Sequence, residues 1–170
     1  MIGSDVEADP IWNCSATAVS HGSTAFAVGL PSIVTLGPQG MNVDVAAHEL
    51  VHAELAARMG VAKRTWVVPV WFDEGLAMQV DHRAAYSRAA LRTYLADLAI
   101  PKLPTLQTRA GFYRAGTEGR LNYAFARCVV AAWSESRNGQ RLDAWLQGLR
   151  WHEPFPAEQF TQAAERCGRP

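Results

Sequence analysis

Two histidines four residues apart bracket a glutamate in the run Ala46-Ala47-His48-Glu49-Leu50-Val51-His52. On a helix, residues four apart stand one above the other on one face. His48 and His52 can therefore aim two imidazoles at one metal ion, with Glu49 beside them to take or give a proton. Such a pair is an incomplete centre, because catalytic zinc sites use three protein ligands and leave a fourth position to water. A third histidine in the spacing HExxHxxGxxH would need glycine at 55 and histidine at 58, where the chain has Leu55 and Arg58. The other common source is a glutamate on the next helix. Glu74 is placed for that, within Pro69-Val70-Trp71-Phe72-Asp73-Glu74-Gly75-Leu76-Ala77.

The spacing has meaning only if the local structure delivers it. A helix is expected from Asn42, a suitable N-cap, with Asp44 in the first turn, where the helix dipole favours negative charge. Arg58 stands in the last turn and Gly60 is a fitting stop, so the HELVH run falls mid-helix. Residues 61–70 read as a short extended connection, followed by a helix from Trp71 to about Asp81 that carries Glu74. Arg83 to Leu98 reads as a third helix, and residues 99–118, broken by Pro101 and Pro104, as a long surface loop. Unstructured loops of that length are usually functional or mobile. Leu121 to Ser136 is a strongly apolar helix ended by Asn138-Gly139, and two more follow at Leu142–Leu149 and Ala157–Arg166.

Before these helices the text changes character. Residues 1–10 are a polar lead-in, and Ile11–Val19, Thr24–Leu30 and Ser32–Leu36 read as strands, with a turn signal at His21-Gly22-Ser23. Pro31 and Pro38 flank the last run and suit an edge strand. Strands over 11–37 followed by helices over 42–168 make one α+β domain spanning 1–170.

Composition narrows the function classes. The 170 residues are 49% hydrophobic and 19% charged, which is globular rather than disordered. Zero net charge leaves no electrostatic footprint for nucleic acid. No apolar run is long enough to span a membrane, and the N-terminus lacks the basic start and apolar core of a signal peptide. The chain reads as soluble, while its compartment and oligomeric state stay open. Three cysteines exclude a complete disulfide framework. One bridge remains open to them, and Cys128, beside Ala126, Val129 and Val130, reads as a buried thiol.

The pair HELVH and P-x-WF-x-EG-x-A resembles the gluzincin group of zinc metallopeptidases, the thermolysin-like or peptidase MA clan, and in particular its small bacterial members with an EGLA-type second motif. The resemblance covers about residues 25–135 and is specific at the two motifs. It implies a small antiparallel or mixed sheet whose edge strand lies over the active-site helix, with a helical layer beneath. It also implies zinc held by His48, His52 and Glu74, with Glu49 as the general base of peptide-bond hydrolysis. Tyr123, early in the long apolar helix, matches the family's downstream tyrosine that donates to the oxyanion. Tyr113 in the preceding loop competes for that role, and Arg127, one turn beyond Tyr123, could add charge stabilisation. A peptide or protein substrate would lie extended along Ser32–Leu36.

Two departures from the pattern matter. The family's aspartate four residues beyond the glutamate ligand is Met78 here, so support for the histidines must come from elsewhere, with Asp44 a candidate. No acidic residue lies between Asp9 and Asp44, so the amine anchor of the aminopeptidase branch is missing. His21, His82 and His152 have no partner at ligand spacing and read as surface or turn residues, and the six tryptophans read as core. The competing reading is a catalytically silent binding or structural module in which zinc holds two helices together.

Overall fold

The computed structural model describes residues 22–25, 33–137 and 141–169. The expected lead-in and first strand, residues 26–30 of the second, and Ser32 lie outside them. The described residues are mainly helical, which overturns the α+β expectation of a thermolysin-like sheet layer. Their extended structure is limited to two four-residue strands, β1 (Gly22–Ala25) and β2 (Ile33–Leu36), paired antiparallel with Gly22 opposite Leu36. A single pair this short is too small to form a layer. Gly22 and Ser23 are in β1 rather than in a turn.

Helix α1 (Val43–Met59) matches its end signals. Asn42 Oδ1 accepts from the Val45 N–H at 3.0 Å, and Gly60 takes φ 85° as the chain leaves the helix. The expected extended connection is instead a second helix, α2 (Val61–Trp66), which packs against α1. Its Lys63 Nζ reaches the Leu146 carbonyl at 3.3 Å. Then come α3 (Val70–Ala77) and α4 (Arg88–Asp97), the latter capped by Ser87. The expected loop over 99–118 holds a 3-10 turn at Leu103–Leu106, a one-turn helix α5 (Arg109–Phe112) and the start of α6 (Gly116–Ser136). Helices α7 (Leu142–Gly148) and α8 (Thr161–Cys167) follow.

Helix α6 is the axis of the core. Leu121, Phe125, Ala126, Val129, Val130 and Trp133 on it are all buried. Helix α3 lies flush on α6 because residue 75 is glycine: a Cβ there would stand 2.6 Å from the Ala126 carbonyl oxygen and 2.8 Å from Val130 Cγ2. The flanking Trp71 and Phe72 are fully buried. They enter an aromatic cluster with Trp133, Trp145, Phe155 and Phe160, in which the Trp133 and Phe160 rings stack at 4.5 Å. Large aromatic side chains bury about 150–250 Å² each, so this cluster anchors α3. Trp66 and Trp151 depart from the core expectation and stand exposed, 6.2 Å apart.

Cys128 is not a free thiol. It is bonded to Cys167, tying α6 to the end of α8. No helix among the described residues is long and apolar enough to cross a membrane.

Candidate metal centre

The buried stripe of α1 runs Val45, His48, Glu49, His52, Leu55, Ala56. Three ionisable residues thus occupy the middle of a face that otherwise packs as core. Burying such groups is costly unless each finds a partner. For the two histidines the partners come from α3, which presents Asp73 and Glu74, the latter also buried.

His48 Nε2 lies 3.2 Å from His52 Nε2 and 3.2 Å from Glu74 Oε2, and His52 Nε2 lies 3.6 Å from the same oxygen. Nitrogen and oxygen ligands bind zinc at about 2.0–2.2 Å, and a tetrahedron of that size has edges of about 3.3–3.6 Å. The three separations lie within that range or just below it, so one ion could sit among the three atoms. Among the described residues, these are the ones whose ligand atoms could together hold a metal.

Charge in the cluster points the same way. Burial would raise the pKa of Asp73 and Glu74, but the imidazolium of His52 holds both carboxyls below their ordinary values, Glu74 well below. Burial would likewise lower the pKa of His52, but the two carboxylates raise it to about 10. Without a metal, the cluster keeps a proton at neutral pH because it carries surplus negative charge. A divalent cation answers the same need, and its binding must expel that proton.

Two of the three atoms turned away from the centre, His52 Nδ1 and Glu74 Oε1, are also held. His52 Nδ1 is 2.9 Å from Asp73 Oδ1, and the Arg64 guanidinium is paired with the Asp73 carboxylate. With Nδ1 turned to Asp73, Nε2 is the ring nitrogen that faces the centre. His48 Nδ1 is buried without a hydrogen-bond partner among the described residues, and its nearest carboxylate oxygen is Asp81 Oδ2 at 3.8 Å. Asp81 is completely buried and bound by Arg83 through both oxygens. Glu74 Oε1, the oxygen turned away from His48, accepts from the Tyr113 hydroxyl at 2.5 Å.

The other residues singled out by motif and spacing divide. Glu49 is buried beside the candidate ligands and close enough to the Tyr123 hydroxyl for its charge to raise that group's pKa. Tyr123 packs against His48, Tyr86 and Phe112, with ring centres 6.4, 5.5 and 4.9 Å away. Burial first, and the Glu74 carboxylate second, push its hydroxyl well above its ordinary pKa, so it remains a donor. Asp44 does not support the histidines, because its Oδ1 accepts from the His82 backbone N–H at 3.1 Å. Arg127 Nη1 points to the Tyr86 carbonyl at 3.5 Å, which braces the segment carrying Tyr86. His82 and His152 are exposed, and His21 lies outside the described residues.

Sequence reasoning missed Asp73, Asp81, Arg64 and the contact of Tyr113 with Glu74. Only Asp73 had a local signal, its place directly before the candidate ligand Glu74. Comparison with protein-family models, curated proteins and solved structures finds no match.

Proposed function

We propose that the chain is a zinc-dependent peptidase with a gluzincin-type centre, hydrolysing peptide bonds in a peptide or protein substrate. The observation that carries this reading is the triangle of His48 Nε2, His52 Nε2 and Glu74 Oε2, with Glu49 buried beside it on α1. Zinc bound there would supply a Lewis acid for the scissile carbonyl and a water acidified to a pKa of about 7.

The chain's own residues would do the rest. Glu49 takes the proton from the attacking water and returns it to the leaving amine nitrogen. Tyr123 donates its hydroxyl proton in a hydrogen bond to the oxyanion that develops on the carbonyl oxygen. Tyr113 is the weaker candidate for that donation, because its hydroxyl is engaged by Glu74. Asp73, steadied by Arg64, holds His52 in register. The substrate would lie extended along the Ile33–Leu36 strand, adding main-chain hydrogen bonds at its edge.

Burial of all three ligands also suits a metal that only ties α1 to α3. Closed structural sites, however, take four protein ligands, and the described residues bring three together. Glu49→Gln separates the two readings. The variant should hold zinc as the unsubstituted chain does, while hydrolysis of a broad peptide mixture falls by about 10²–10⁴-fold. Undiminished hydrolysis in that variant would contradict the role of Glu49. No hydrolysis by the unsubstituted, zinc-loaded chain would favour the structural module.

A further inference from the structure

The segment between α4 and α6 has one consequence at the metal centre: it carries a tyrosine hydroxyl to the carboxylate of Glu74, 39 residues earlier in the chain. The segment is fixed at several points. The Gln107 carbonyl accepts from the Val70 N–H at 3.1 Å, which joins it to the start of α3. Thr108 Oγ1 accepts from the Gly111 N–H at 3.2 Å, capping α5. Gly111 sits so close to the preceding turn that a Cβ would stand 1.8 Å from the Thr105 carbonyl oxygen. Phe112 is completely buried, and its carbonyl accepts from Asn122 Nδ2 on α6 at 2.8 Å. Tyr113 follows directly, its ring partly open to solvent and its hydroxyl turned in to Glu74 Oε1.

A carboxylate can bind a metal through one oxygen or through both. The hydrogen bond turns Oε1 towards Tyr113 and leaves Oε2 as the oxygen that faces the two imidazole nitrogens. We propose that Tyr113 is a positioning residue of the metal centre, whose hydroxyl keeps Glu74 a one-oxygen ligand and so sets both the coordination number and the retention of the ion. This assignment rests on the metal-centre reading given above. It gives the expected long loop a defined task, which is to hold the carboxylate ligand from outside the two helices that supply the ligands.

The test uses the full chain, its Tyr113→Phe variant and a Tyr94→Phe control. The Tyr94 hydroxyl donates to the Ala85 carbonyl at 3.0 Å, away from the ligands. Phenylalanine keeps the ring packing of Tyr113 against Phe112 and Tyr123. Each protein is stripped of metal, then titrated with zinc against a chromophoric chelator and, separately, loaded with cobalt for its visible spectrum. Supporting hydrogen bonds of this kind are typically worth about 10–100-fold in metal affinity. Tyr113→Phe should therefore bind zinc about 10–100-fold more weakly, and its cobalt absorption should weaken as Glu74 turns both oxygens to the ion and the coordination number rises. Tyr94→Phe should change neither. Unchanged affinity and spectrum in Tyr113→Phe would overturn the assignment. A lower kcat alongside unchanged affinity would also overturn it, and would make the Tyr113 hydroxyl a donor to substrate instead. Failure of the unsubstituted chain to take up either metal would overturn the metal centre itself, and the role of Tyr113 with it.

Discussion

Burial alone would favour neutral imidazole at His52, yet Asp73 and Glu74 raise its pKa from 6.5 to about 10. In metal-free protein the folded state therefore binds more protons than the unfolded state between those two values. Stability follows the sign of that difference. The contribution of His52 is fully present below pH 6.5, declines as pH rises, and is gone above about 10. Thermal melts of chelator-treated protein should accordingly fall in midpoint from pH 6.5 towards 10. Zinc-loaded protein, whose His52 has already given up that proton, should not show this decline. A chelated protein that grows more stable across the interval would contradict the charge balance described for the cluster. At this scale the residues that could hold a metal were legible because their spacing is local, His48 and His52 four apart and Glu74 in a distinctive string. Their supports were not legible, because Tyr113 and Arg64 reach the centre from other elements through tertiary packing.

Helix α3 places Glu74, and α6 places α3. The close crossing depends on Gly75, whose missing side chain admits the Ala126 carbonyl. A backbone oxygen on a buried helix has little room to yield, so Gly75→Ala should push α3 away from α6. Overpacking of this kind costs about 1–3 kcal/mol, read from denaturant midpoints. Zinc occupancy should fall with it, because Glu74 is the adjacent residue. Stability within about 0.5 kcal/mol of the unsubstituted chain, the ordinary range for a surface substitution, would show that the crossing is not tight. Helix α1 was readable because Asn42, Asp44, Arg58 and Gly60 signal its two ends within the segment itself. Helix α2 was not, since Val61, Thr65 and Trp66 favour extended structure. Its docking on α1 and the bond from Lys63 to the Leu146 carbonyl decide the matter from a distance. The start of α6 was hidden by Gly116 and Gly119, which read as loop. Gly119 is in fact required there, since a Cβ would meet the Arg114 carbonyl oxygen at 2.1 Å.

At the scale of the molecule, the β-branched text before residue 37 suggested a sheet layer, but among the described residues helices bury their apolar faces on one another around α6. The Cys128–Cys167 bond closes a 39-residue separation and holds α8 against that axis. By chain entropy, a loop of this size is worth about 4 kcal/mol against the unfolded state. The aromatic cluster under α3 and this bond form a scaffold on which α1 and α3 meet at the candidate metal centre. The most direct test of that account is the metal content of protein purified without added metal, compared with a His48→Ala variant by elemental analysis. The account predicts close to one zinc per unsubstituted chain and a loss of most of it in the variant. A metal-free unsubstituted chain that also takes up no zinc on titration, or equal zinc in both proteins, would contradict it.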